Sequence, residues 1–112
     1  MNNNNVLNND IIIVHEEENT YEVEILMEEI LFGNVHIFQS SVGQLLKDKI
    51  KNIVFDCKNI KEIDYAAVGV LINTKRILSK QKKDIYLKNV PKALYKYLQL
   101  LRISSFFTVL NT

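Results

Sequence analysis

The run Ile53-Val54-Phe55-Asp56-Cys57 is the feature that most limits what this chain can fold into. It is short, almost continuously apolar and rich in β-branched and aromatic side chains, as in a strand covered on both faces. A strand of that kind lies inside a sheet with helices packed on it, and the flanking segments carry helical patterns. Before it, Val42, Leu45, Leu46 and Ile50 recur at helical spacing, and Ser41 with Gln44 three residues later forms a capping box at the start. After it, Ala67, Val70, Leu71, Thr74 and Leu78 share one helical stripe, with Asp64 placed to cap the free amides of the first turn. An apolar strand between two amphipathic helices predicts an α/β layer.

The remaining segments extend this pattern. Ile11, Ile12, Ile13 and Val14 make a β-branched run, and after Glu16-Glu17-Glu18 and the turn-like Asn19-Thr20, Tyr21, Val23, Ile25 and Met27 alternate with Glu22 and Glu24. The pair reads as a hairpin with one wet face, its second strand extended by Leu31 and Phe32 until Gly33-Asn34 ends it. Residues 84–88 return to strand character, and Pro91 suits the first turn of a helix whose stripe is Leu94, Tyr97, Leu98 and Leu101. Residues 106–110 close as a last strand. The predicted order is β-β-α-β-α-β-α-β, with right-handed crossovers. Residues 1–10, rich in asparagine, have little to bury and are expected as a disordered tail, leaving 11–112 as one domain.

Charge and cysteine content narrow the setting. Fourteen Lys and Arg against thirteen Asp and Glu give a formal net charge of +1, which by itself directs the chain to neither nucleic acid nor anionic lipid. Lys80, Lys82 and Lys83 cluster at a helix end, where they offset the dipole and face water. The single cysteine, Cys57, excludes an internal disulfide and reads as a small buried hydrophobe. No stretch reaches the ~20 apolar residues of a membrane span, and the amino terminus lacks the order of a secretory signal, so the expected location is the cytoplasm, without membrane insertion.

Signals for catalysis are poor. His15 and His36 have no ligand-spaced partner, no second thiol completes a zinc site, and Gly33, Gly43 and Gly69 are too scattered to cradle a phosphate. The pairs Ser40-Ser41 and Ser104-Ser105 sit where a cap or turn wants a hydroxyl, and the acidic triplet at Glu16 reads as a solvated strand end. Neither metal, cofactor nor enzymatic activity is expected. The junction at residues 63–71 stands out instead. Its first helical turn carries free amides, Ala66, Ala67 and Gly69 are small, and Tyr65 is an aromatic of the kind that anchors interfaces. For Ala67 tight helix-on-sheet packing is the better reading.

At these residues the chain resembles the STAS domains, which include bacterial anti-sigma factor antagonists. The resemblance runs from about Ile11 to the end. It is carried by Asn52-Ile-Val-Phe-Asp56, by Ile63-Asp64 and Val68-Gly69-Val70-Leu71, by Ile85-Tyr-Leu-Lys-Asn89, and by Gly33, similar to the glycine of the family's Gly-x-Leu-Asp loop. It implies a mixed β-sheet with helices packed on one face. It also implies docking onto a protein partner, an anti-sigma factor of the serine-kinase type, through Asn34, His36, Asp64, Tyr65, Ala66, Val68 and Gly69.

The departures change the expected mechanism. Antagonists of this family carry a serine or threonine phosphoacceptor after the second Asp; here that position is Tyr65, the following serine is Ala66, and the family's next glycine is Ala67. In the Gly33 loop the family's aspartate is replaced by His36. A phenol places its oxygen well beyond the point at which a serine kinase aligns a short hydroxyl with the γ-phosphate. A phosphate there would displace a partner by charge and bulk. Without an acceptor the expected behaviour is partner binding without the serine phospho-switch, by a monomer or weak dimer. The alternatives are a STAS subunit or scaffold of a transporter ATPase or other signalling assembly and, with less support from the glycine and basic content, a small-molecule or nucleotide-binding regulator.

Overall fold

The computed structural model of the chain describes residues 5–110, and of residues 5–8 the backbone alone. Eight strands and three helices follow in the order β1 (Asn5–Asn8), β2 (Ile12–Glu16), β3 (Thr20–Ile25), β4 (Glu29–Ile30), α1 (Val35–Lys47), β5 (Asn52–Asp56), β6 (Glu62–Ile63), α2 (Tyr65–Lys80), β7 (Ile85–Lys88), α3 (Lys92–Leu100) and β8 (Thr108–Leu110). Six strands form one sheet in the order β1-β2-β3-β5-β7-β8. The hairpin β2–β3 is antiparallel, while β3, β5, β7 and β8 run parallel, so each later strand is reached by a helical crossover. The mixed sheet with three helices is the architecture that the resemblance implied.

One row across the sheet, Val14, Val23, Phe55, Leu87 and Val109, fixes the register. Its first four members are fully buried with Ile12, Ile53 and Ile85, in one core with Phe38, Val42 and Leu45 of α1, Leu71 and Leu78 of α2, and Leu94 and Leu98 of α3. Phe38 of α1 meets Phe55 at a ring distance of 6.0 Å. The helices cover this face only. β5 is therefore not a strand covered on both sides, as its composition suggested. Val54 points the other way, half-buried between its register partners Glu22 and Tyr86. An apolar residue at an outward position hides the period of two that the burial pattern reveals.

Several boundaries differ from expectation. Part of the expected tail, Asn5–Asn8, pairs antiparallel with β2, while residues 1–4 lie outside the described residues. The hairpin's second strand ends at Ile25, and the chain then forms β4, a two-residue parallel pair with β6 that joins Ile30 to Ile63. Helix α1 starts at Val35, not at a Ser41–Gln44 box, and stops at Lys47, short of Ile50. Ser41 is buried inside it. Val35, His36, Ile37 and Phe38 are modest helix formers, and burial of Phe38 outweighs their propensity. Pro91 stands one residue ahead of α3, at the cap. The last strand begins at Thr108, after buried Phe107.

Helices α2 and α3 stop in the same way. The Lys83 amide donates to Leu78 O at 2.9 Å and the Lys82 amide to Ser79 O at 3.0 Å; the Ile103 amide donates to Leu98 O at 2.9 Å and the Arg102 amide to Gln99 O at 3.0 Å. Lys82 and Arg102 both have left-handed backbones, with φ of 60° and 57°. Each end is a Schellman motif with a cationic residue where glycine is usual.

Candidate functional site

The pairing of β4 with β6 brings the loop after β4 beside the start of α2. Asp64, extended at the N-cap, joins the two: Oδ1 accepts from the Ala66 amide at 3.0 Å and Oδ2 from the Phe32 amide at 2.8 Å. The cap is as expected, and the second bond shows that the same carboxylate holds the neighbouring loop. Asn34 braces that loop internally, its Oδ1 accepting from the Leu31 amide at 2.8 Å and its Nδ2 donating to Glu29 O at 3.0 Å. Asn34 thus shapes the turn before α1 and makes no side-chain cap of that helix.

Two aromatics crown the corner. Tyr65 is 58% exposed and Phe32 82% exposed, so neither ring belongs to the core. The Tyr65 ring meets Tyr97 of α3 edge-on, with centroids 4.7 Å apart and planes at 73°, which restricts its rotamers while leaving its outer edge in water. His36 is exposed on the first turn of α1 and Ala66 is half-buried. Gly69 is exposed, and a Cβ built there would meet nothing within 4 Å, so bare backbone faces solvent. Val68 is fully buried, as is Ala67, so Val68 does not serve as a contact and supports the helix from beneath. The expected continuation of a strand through Phe32 is not what forms: Phe32 lies in the loop after β4, and its place before Gly33-Asn34, a turn signal, is the sequence feature that marks it. Nothing in the spacing of Tyr97 distinguished it from its core neighbours.

Other chemistry among the described residues is sparse. No cluster of His, Cys, Asp and Glu suits a metal. Burial, with the charge of Asp56, pushes the Cys57 thiol from its ordinary 9.0 up to about 12, against a lowering bond from the Lys88 amide. It is therefore a protonated thiol at neutral pH. An open hollow of about 680 Å³ near the ends of β7 and β8 is lined by Asn89, Tyr95, Phe107 and Val109 among others, and no corner residue borders it. No described helix is long and apolar enough to cross a membrane.

A mixed sheet with helices on one face, and a carboxylate that ties the start of the second helix to an adjacent loop, defines a class of small α/β domain built around one exposed corner. The chain belongs to the STAS domain family, whose profile matches residues 12–112. No curated protein sequence is significantly similar to it. Among solved structures, an anti-sigma-factor antagonist (STAS) domain protein from Planctomyces limnophilus superposes with a TM-score of 0.80 at 13% identity, covering 90% of each chain. The anti-sigma factor antagonist SpoIIAA in its unphosphorylated form gives 0.74 at 13% identity, over 90% of this chain and 87% of that one. Part of the murine anion transporter Slc26a9, 14% of its length, matches 77% of this chain with a TM-score of 0.65 at 17% identity. At such identities these likenesses are of fold.

Proposed function

We propose that this chain is a non-enzymatic regulatory module that docks onto a kinase-type anti-sigma factor through the corner at residues 64–71, the adjacent 31–34 loop and the exposed first turn of α1 at residues 35–37, without a serine phospho-switch. One observation carries the reading: an exposed aromatic, Tyr65, opens α2, and the next two residues are alanines. Exposed aromatics held by neighbouring contacts lose little entropy on binding and bury much area. Phe32 adds a second anchor, tied to the first through Asp64. With no serine or threonine at the start of α2, the surface keeps one covalent state in the presence of a serine kinase and ATP.

The test uses the kinase-type anti-sigma factor encoded nearest to this chain's gene. Titration calorimetry is expected to give an affinity that falls at least tenfold for Tyr65→Ala and for Phe32→Ala, typical of an anchor truncation. Intact mass after incubation with that protein and ATP is expected to show no added phosphate. Unchanged affinities, or phosphate on Tyr65, would overturn the proposal. The rival reading, a subunit of a transporter assembly, draws on the fold likeness to part of Slc26a9. It gains if the anti-sigma factor does not bind and a transporter ATPase does.

A further inference from the structure

The near-neutral total hides a sorting of charge by layer. The three helices contain no Asp or Glu, yet carry Lys47, Lys75, Arg76, Lys80, Lys92 and Lys96. All the carboxylate side chains lie on strands and in loops. Several are matched there: Glu16 by Lys51, Glu24 by Lys58, Glu22 by Lys88. Of the helical cations, Lys75 is engaged by Asp84 at 2.6 Å. On the outer faces of α2 and α3, Arg76, Lys80, Lys92 and Lys96 are exposed, and Arg102 follows at the end of α3. Exposed Tyr95 and Leu100 lie among them. Helix α3 joins the corner directly through the Tyr65–Tyr97 contact.

We infer that the docking surface extends from the Tyr65 corner across the outer faces of α2 and α3, and that it fits a protein face that is apolar opposite Tyr65 and acidic opposite Arg76, Lys92 and Lys96. This rests on the reading of the corner as a docking site. A protein partner fits better than a membrane or nucleic acid because the corner is edged by exposed Glu29 and Glu62, with Glu28 beside them facing Lys61 at 3.6 Å. A uniformly anionic surface pressed on both regions would meet those carboxylates, whereas a protein face carries its own pattern of charge. Arginine and tyrosine together are also the composition of a protein interface.

The experiment measures association kinetics of the full chain with the same anti-sigma factor, between ~50 and ~300 mM salt, over which the screening length falls from above ~10 Å to below it. The variants are Lys92→Glu/Lys96→Glu, Tyr65→Ala, and Lys49→Glu/Lys47→Glu as an equal charge change at the far end of α1. The α3 double variant is expected to lower the association rate at least tenfold at low salt and to flatten its salt dependence. It should leave circular dichroism and the melting temperature unchanged, since both lysines are exposed. The α1 pair should have less than a threefold effect. If Tyr65→Ala weakens binding while the α3 reversal does nothing, or both reversals act equally, the extended surface is overturned and the corner stands. If the wild type does not bind at all, both fall. Tighter, α3-dependent binding to phosphatidylglycerol-containing vesicles or to duplex DNA than to the protein would also overturn the inference.

Discussion

At the scale of single residues, Asp64 does the most for the corner. It satisfies one orphan amide of α2 and one amide of the 31–34 loop, and both would be left without their acceptor in Asp64→Ala. The expected loss is about 2 kcal/mol in urea unfolding, from an N-cap together with a tertiary hydrogen bond. Hydrogen exchange at Phe32 should accelerate in step. Asp64→Asn keeps one acceptor oxygen and should fall between. Cys57 gives a second expectation. Its thiol, held at about 12 when folded against an ordinary 9.0, favours the folded state fully below pH 9.0, and that contribution is lost as pH rises toward 12. Native protein should react with iodoacetamide far more slowly at pH 8 than the urea-unfolded chain; equal rates would contradict the burial.

At the scale of elements, the two Schellman ends make a matched prediction. Lys82→Gly and Arg102→Gly each relieve a left-handed backbone at a non-glycine residue, and each should stabilise the fold by about 0.5–1 kcal/mol in urea titration. Destabilisation by either would show that the cationic side chain contributes more than the backbone costs. Much at this scale was legible beforehand. The hairpin, the Asp64 cap and the 67–78 stripe follow from local patterns of period 2 or 3.6, which act within a few residues. The β4–β6 pair was not legible, because two residues carry no period and their partners lie 33 positions apart along the chain. The start of α1 was hidden for a related reason: Phe38 is held by Phe55, a contact no local window contains. Tyr65 is marked in the sequence by its type and its place after Asp64, whereas Phe32 reaches the corner only through the β4–β6 pairing, which leaves no local pattern.

At the scale of the whole molecule, the pH profile of stability depends on a few links between elements. Asp84 feels burial, which raises its pKa, but the Lys75 hydrogen bond, the Ile85 amide and the Lys75 charge prevail and hold it below its usual 3.8. A carboxyl depressed in the folded state stabilises above the unfolded pKa, and that stability is lost as pH falls through the folded value. The Lys75→Met variant should therefore lose stability at pH 6 and converge with wild type below pH 3.8, as followed by thermal melts; a constant difference down to pH 2 would assign the effect to packing. Six of the fourteen cations and none of the thirteen carboxylates lie on the helices, and that asymmetry has a consequence of its own. It gives the domain an electric dipole moment through its thickness, so that near a charged wall the molecule rotates before it touches. A tether that blocked the helical side would leave the shape intact and spoil the approach.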